Sequence, residues 1–172
     1  MGGERRHAAP GTGHAEASSG RFAPTTTAVA EACQLVSFVV IAPDGTLKVR
    51  TVQNRVRLDE WDTPYQETLW AAVRREVDPH YDAVNGMPLQ DDLRVKVADL
   101  AGQVPDLYPP NPVASAVLTT LGHQPRYWFG TIAIVGAEDA DGITASLTAD
   151  QLEIITKGTP AGRVVLTQPP YR

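Results

Sequence analysis

The sequence predicts an α+β domain in the order ββαββαβα(β): about three helices on a mainly antiparallel sheet, behind a disordered N-terminal tail. Three observations predict it. A β-branched run, Leu35 to Ile41, leads through a Pro-Asp-Gly turn into an alternating strand. Three later segments carry helix-start chemistry ahead of apolar residues at helical spacing. Residues 1–33, by contrast, hold only Met1, Phe22 and Val29 as large apolar side chains. Such a segment cannot bury enough surface to offset the entropy of ordering it. The chain therefore divides into a tail over 1–33 and one domain over 34–172.

Order begins at Gln34. Leu35-Val36-Ser37-Phe38-Val39-Val40-Ile41 is continuous enough for a central strand buried on both faces. Ala42-Pro43-Asp44-Gly45 turns the chain, with Pro fixing φ and Gly supplying a positive one. From Thr46 to Val52, Leu47 and Val49 alternate with Lys48 and Arg50, which completes a hairpin. Thr63-Pro64-Tyr65-Gln66 reads as a capping box with Pro at the first helical position. That helix runs to about Val77 and aligns Tyr65, Leu69, Val73 and Val77, with Trp70 beside them. His80 to Val84 and Leu93 to Val97 are weaker strands, parted by Asn85-Gly86 and Asp91-Asp92. Leu107 to Pro110 approaches extended, because proline disfavours helix in the residue before it. Asn111 then caps a helix with Pro112 in its first turn, apolar along Val113, Ala116, Val117 and Leu121, and ended by Gly122. Tyr127 to Val135 is a strand with a bend point at Gly130. Thr148-Ala149-Asp150-Gln151 is a further capping box, opening a helix to Lys157, and Val164-Val165-Leu166 can add a last strand.

Composition narrows the function. The chain has 172 residues, 42% of them hydrophobic and 20% charged, with a net charge of −5. Mild acidity argues against a protein that coats nucleic acid, which is expected to be basic. Three acids balance three arginines in the tail, so the net charge belongs to the domain. The lone Cys33 excludes an intramolecular disulfide and a cysteine-only metal site. Leu35 to Ile41 is far shorter than the roughly 18–20 apolar residues of a membrane span, and no secretory signal pattern follows Arg5 and Arg6. A cytoplasmic protein with no membrane attachment is expected.

Leu107-Tyr108-Pro109-Pro110-Asn111-Pro112-Val113-Ala114 resembles the Pro-Asn-Pro-x-Ala core of a domain-of-unknown-function family common in actinobacteria, their phages and mobile elements. Gly130 to Gly136, Asp141-Gly142 and Ser146 to Gln151 extend the resemblance, which is best over about 107–155. The chain departs from the family at Val77 to Asp82, where a Gly-Gly-aromatic-x-Glu stretch is common. The resemblance implies an accessory or mobile-element context. It implies no catalytic residue, since the family has no established activity.

Chemistry-bearing residues are few. Lys48, Arg50, Arg55 and Arg57 place four cations in ten residues, enough to sit against phosphates, with Trp61 and Tyr65 near for stacking. The plainer reading is a solvated strand face and loop balanced by Asp59, Glu60 and Asp62. The helix start at Asn111 has free backbone N–H groups that can bind an anion, unless Asn111 simply caps its own helix. Glu138 to Gly142 resembles a calcium loop, but its alignment puts Ala137 and Thr148 at ligand positions, so a polar hairpin or strand-to-helix loop fits better. The four histidines show no zinc spacing, and no nucleophile elbow, phosphate loop or dinucleotide motif occurs. No cofactor is implied. The expectation is a non-enzymatic accessory protein that binds a partner macromolecule, above all a protein. Two alternatives stay open: nucleic-acid binding along residues 48–57, and a small-molecule binder or enzyme at the Asn111 helix start.

Overall fold

The computed structural model describes residues 33–61, 63–158 and 164–167. The expected tail falls outside them except for Cys33, which begins the first strand. β1 (Cys33–Ile41) and β2 (Leu47–Leu58) form one long antiparallel hairpin, in register from Cys33 opposite Arg55 to Ile41 opposite Leu47. Its turn follows the Pro-Asp-Gly chemistry. Gly45 takes φ +84°, and the Asp44 carboxylate accepts from the Thr46 N–H at 2.8 Å.

Strand β3 (Pro64–Gln66), β4 (Val84–Gln90), β5 (Leu93–Ala98), β6 (Ile132–Gly136) and β7 (Val164–Thr167) complete the sheet. The order across it is β3-β2-β1-β6-β5-β4, and β7 pairs parallel to the first residues of β2. All other pairings are antiparallel. The predicted α+β class therefore holds, with helices on both faces of the sheet.

Alternation along the central strands builds two cores. Val39, Ile41, Leu47, Val49, Ile132 and Ile134 face α2 (Pro112–Thr120) and α3 (Ala149–Lys157). Val36, Phe38, Val40, Ala133 and Val135 face α1 (Glu67–Val77) through Leu69, Val73 and Val77. The apolar run of β1, interrupted only at Ser37, is thus explained: its two side-chain sets feed different cores.

Four local expectations are corrected. The first helix starts at Glu67, because Pro64–Gln66 is drawn onto the edge of β2 opposite Leu58, Arg57 and Val56. No capping box forms at Thr63, and Tyr65 lies on β3 instead of the helix stripe. Asn54 of β2 supplies the missing cap by accepting from the Leu69 N–H at 3.2 Å. The strand expected over His80 to Val84 begins only at Val84, so Asn85-Gly86 lies inside β4 instead of after the strand. Residues 55–57 continue β2 as strand, not as loop. Finally, the strand expected from Tyr127 starts at Ile132, after Gly130 turns the chain at φ +68° against the ring of Tyr108.

The later helix starts follow the sequence. Asn111 caps α2 with Pro112 at its start, and Gly122 takes φ +84° just beyond its end. Thr148 and Gln151 form the reciprocal capping box of α3. Of the two readings of this loop, Glu138 to Thr144 forms the polar hairpin, with the Asp139 carboxylate accepting from Asp141 and Ile143 at 2.9 Å.

Candidate functional site

Asn111 is 1% exposed, and every polar atom it carries is bonded. Its Oδ1 accepts from the Ala114 N–H at 2.9 Å, the capping bond the sequence predicts. Its Nδ2 donates to the carbonyls of Ile41 at 3.0 Å and Gly130 at 2.8 Å. Its backbone N–H donates to the Trp128 carbonyl at 2.7 Å. One side chain thus ties the end of β1, the approach to β6 and the start of α2 together. Sequence reasoning finds the cap but not the other two bonds, which depend on chain separations of 70 and 19 residues.

The surface beside this helix start carries a recess. A cleft of about 350 Å³ is lined by Pro112, Ser115, Pro125, Arg126 and Tyr127. Tyr127 stands 86% exposed. Arg126 lies over the buried Trp128 ring at 3.8 Å, and His123 meets the same ring edge-on at 5.3 Å. Trp128 therefore acts as a floor that positions the guanidinium, an arrangement worth about 0.5–1 kcal/mol where it is exposed. Arg126 makes no ion pair with a described residue. The first turn of α2 has no acidic side chain either. The cleft thus combines apolar walls, an aromatic and a cation.

The four cations of the basic ribbon do not form one surface. Strand alternation sends Lys48 and Arg50 to the α1 face, where both reach Glu76 at 3.4 Å. It sends Arg55 and Arg57 to the opposite face. Arg57 pairs with Glu67 at 3.1 Å, while Arg55 is exposed and has no ion pair with a described residue. Trp70 is the packing residue it was expected to be, with the Lys96 ammonium 4.4 Å over its ring. Trp61 and Tyr65 are both exposed.

One buried pair escapes sequence reasoning. Asp78, just past α1, is 1% exposed and accepts from the Tyr108 hydroxyl at 2.7 Å. It also accepts from the backbone N–H groups of His80, Tyr81 and Ala83 at 3.3, 3.2 and 3.0 Å. Those donors are consequently lost to any strand over 80–83, and Asp82 adopts φ 55°. Burial alone would raise the Asp78 pKa, but these four donors outweigh it and hold the carboxyl below its ordinary value. Burial and the Asp78 carboxylate push Tyr108 up to about 12. Near neutral pH the acid is ionised and the phenol is protonated, so neither exchanges a proton readily. A second recess of about 270 Å³ opens beside Tyr108, between Pro43, Pro79, His80, Leu107 and Thr131.

Among the described residues, no group of three or more His, Cys, Asp or Glu side chains could hold a metal ion. No helix among them is long and apolar enough to cross a membrane. No family model, curated protein or solved structure matches the chain.

Proposed function

We propose that this chain is a non-enzymatic accessory protein of the cytoplasm that binds a partner protein through the cleft beside α2. The observation that carries the reading is that exposed Tyr127 and Arg126, which has no ion pair with a described residue, line the same apolar-walled cleft. Tyr and Arg are the side chains that dominate protein interfaces, because each brings large contact area and a polar handle. The resemblance to the actinobacterial and mobile-element family is part of the same reading, as Pro112 of the Pro-Asn-Pro core lines the cleft. Asn111 supports it from behind. Its bonds are spent on holding the cleft's shape, which leaves recognition to Pro112, Pro125, Arg126 and Tyr127.

The alternatives are less well supported. Lys48, Arg50 and Arg57 already face carboxylates, so three of the four cations would exchange one anionic partner for another on binding phosphate. The Asn111 helix start has its capping position filled. The test is quantitative capture from an actinobacterial lysate with the unmodified chain and a Tyr127→Ala/Arg126→Ala variant. A protein retained through moderate salt by the first and lost by the second is expected. Equal retention by both would exclude the cleft.

A further inference from the structure

We propose that the cleft beside α2 takes an acidic peptide segment of its partner, with one carboxylate on Arg126 and a neighbouring apolar side chain against Pro112, Pro125 and Tyr127. This inference rests on the proposed function and adds the chemistry of the partner. Charge carries it. The chain has 20 acidic against 15 basic residues, yet Leu107 to Ala137 contains no Asp or Glu, and Arg126 is its only Lys or Arg. That stretch supplies every residue that lines the cleft. A carboxylate entering there meets a cation and no acid among the lining residues, on a molecule whose net charge is −5. The cleft is thus locally the opposite of the chain as a whole, and an acidic segment is the occupant that fits it.

The core prepares that cation. Arg126 is exposed, and its guanidinium carbon lies 3.8 Å from the centre of the Trp128 ring. Trp128 is itself 3% exposed, so the support is fixed. An aromatic ring holds a guanidinium through its charge and uses none of its N–H donors, which stay free for a carboxylate. Lys48, Arg50 and Arg57 differ, since each already faces Glu76 or Glu67. Arg126 has no ion pair with a described residue to give up. The other walls set what stands beside the acid. Pro112 and Pro125 have no backbone N–H, and Tyr127 is 86% exposed, so an apolar neighbour gains burial that a free carboxylate ion does not. One cation is too few for a nucleic-acid backbone, whose affinity grows with the number of phosphates neutralised.

The test is selection of phage-displayed random octapeptides on the full-length chain, followed by fluorescence anisotropy of the recovered peptides carrying a dye. The peptides are expected to share an Asp or Glu next to an apolar residue. Affinity falls about tenfold with Arg126→Ala, and about tenfold when the peptide's acid is replaced by its amide. The two changes together cost little more than either alone, because both remove the same contact. Arg126→Glu selects basic peptides in place of acidic ones. Peptides that need Tyr127 but carry no acid overturn the acidic occupant and leave the cleft reading standing. Peptides that bind Tyr127→Ala/Arg126→Ala as tightly as the unmodified chain overturn both. An empty selection overturns this proposal even where capture from a lysate still depends on Tyr127. A dye-labelled single-stranded oligonucleotide that binds through Arg126 more tightly than any peptide points to a different occupant and likewise overturns it.

Discussion

At the scale of single residues, two buried polar side chains hold together what the apolar pattern leaves unspecified. Asn111 satisfies one helix N–H and two remote carbonyls at once. Replacing a capping Asn by Ala costs about 1 kcal/mol, and each buried group left without its partner costs about 1–3 kcal/mol more. Asn111→Ala is therefore expected to lose about 3 kcal/mol or more in urea unfolding, well above a cap alone. A loss near 1 kcal/mol would mean that the two carbonyls find other donors. Asp78 gives a pH signature. Its native pKa lies below the ordinary 3.8, so the native state binds fewer protons than the unfolded chain in that range. The stabilisation is then complete above the unfolded value and is lost as pH falls through the native one. Urea midpoints measured down from about pH 6 are expected to drop below about pH 4. Asp78→Asn flattens that limb. Tyr108→Phe removes one of four donors, costs about 1–3 kcal/mol and moves the limb to higher pH.

Elements show where a local pattern decides and where a neighbour overrides it. The capping boxes at Thr63 and Thr148 look alike in sequence, yet only Thr148 forms one. The difference lies in competition. Gln66, expected to close the first box, donates to the Thr144 carbonyl at 3.0 Å and accepts its N–H at 2.6 Å. Gln66 thereby copies a strand's hydrogen-bond pair, while Asn54 takes over as the cap. Thr63→Ala is expected to change stability by no more than about 0.5 kcal/mol. Asn54→Ala loses about 1 kcal/mol, and Gln66→Ala loses about 2 kcal/mol or more through the buried Thr144 groups. Chemical denaturation of the three variants separates the two capping schemes. The long hairpin, α2 and α3 were readable because their signals are local: a Pro-Asp-Gly turn, an Asn-Pro start, a Thr-x-x-Gln box. The start of α1, the Asp78 turn and the Gly130 bend were not, because each depends on a partner 15 to 78 residues away. Of the candidate site, Asn111 was readable as a cap. Arg126 and Tyr127 were not, since their meaning comes from Trp128 below and Pro112 beside them. Gly136 is hidden for the same reason: a Cβ there would collide with the Ala145 carbonyl oxygen.

At the scale of the molecule, the proposed binding cleft depends on where the elements meet. The cleft lies at the start of α2, where Pro112, Pro125, Arg126 and Tyr127 meet. The far part of the long hairpin, with β3, lies beyond the Ser37–Thr51 row. The strand alternation that divides the basic ribbon serves both faces, since Lys48 and Arg50 brace α1 through Glu76 while Arg55 stays outward. Because Tyr127 and Arg126 are exposed, their loss is expected to change stability by no more than about 1 kcal/mol. Any loss of binding in such a variant then reports on contact and not on folding. The most direct measurement of the central claim is side-by-side capture from an actinobacterial lysate on the unmodified chain and on Tyr127→Ala/Arg126→Ala, with protein and nucleic acid both quantified across salt. The account predicts a defined protein that survives moderate salt on the first and is absent from the second. Retention of the same protein by both, or of nucleic acid alone that salt removes, would contradict it.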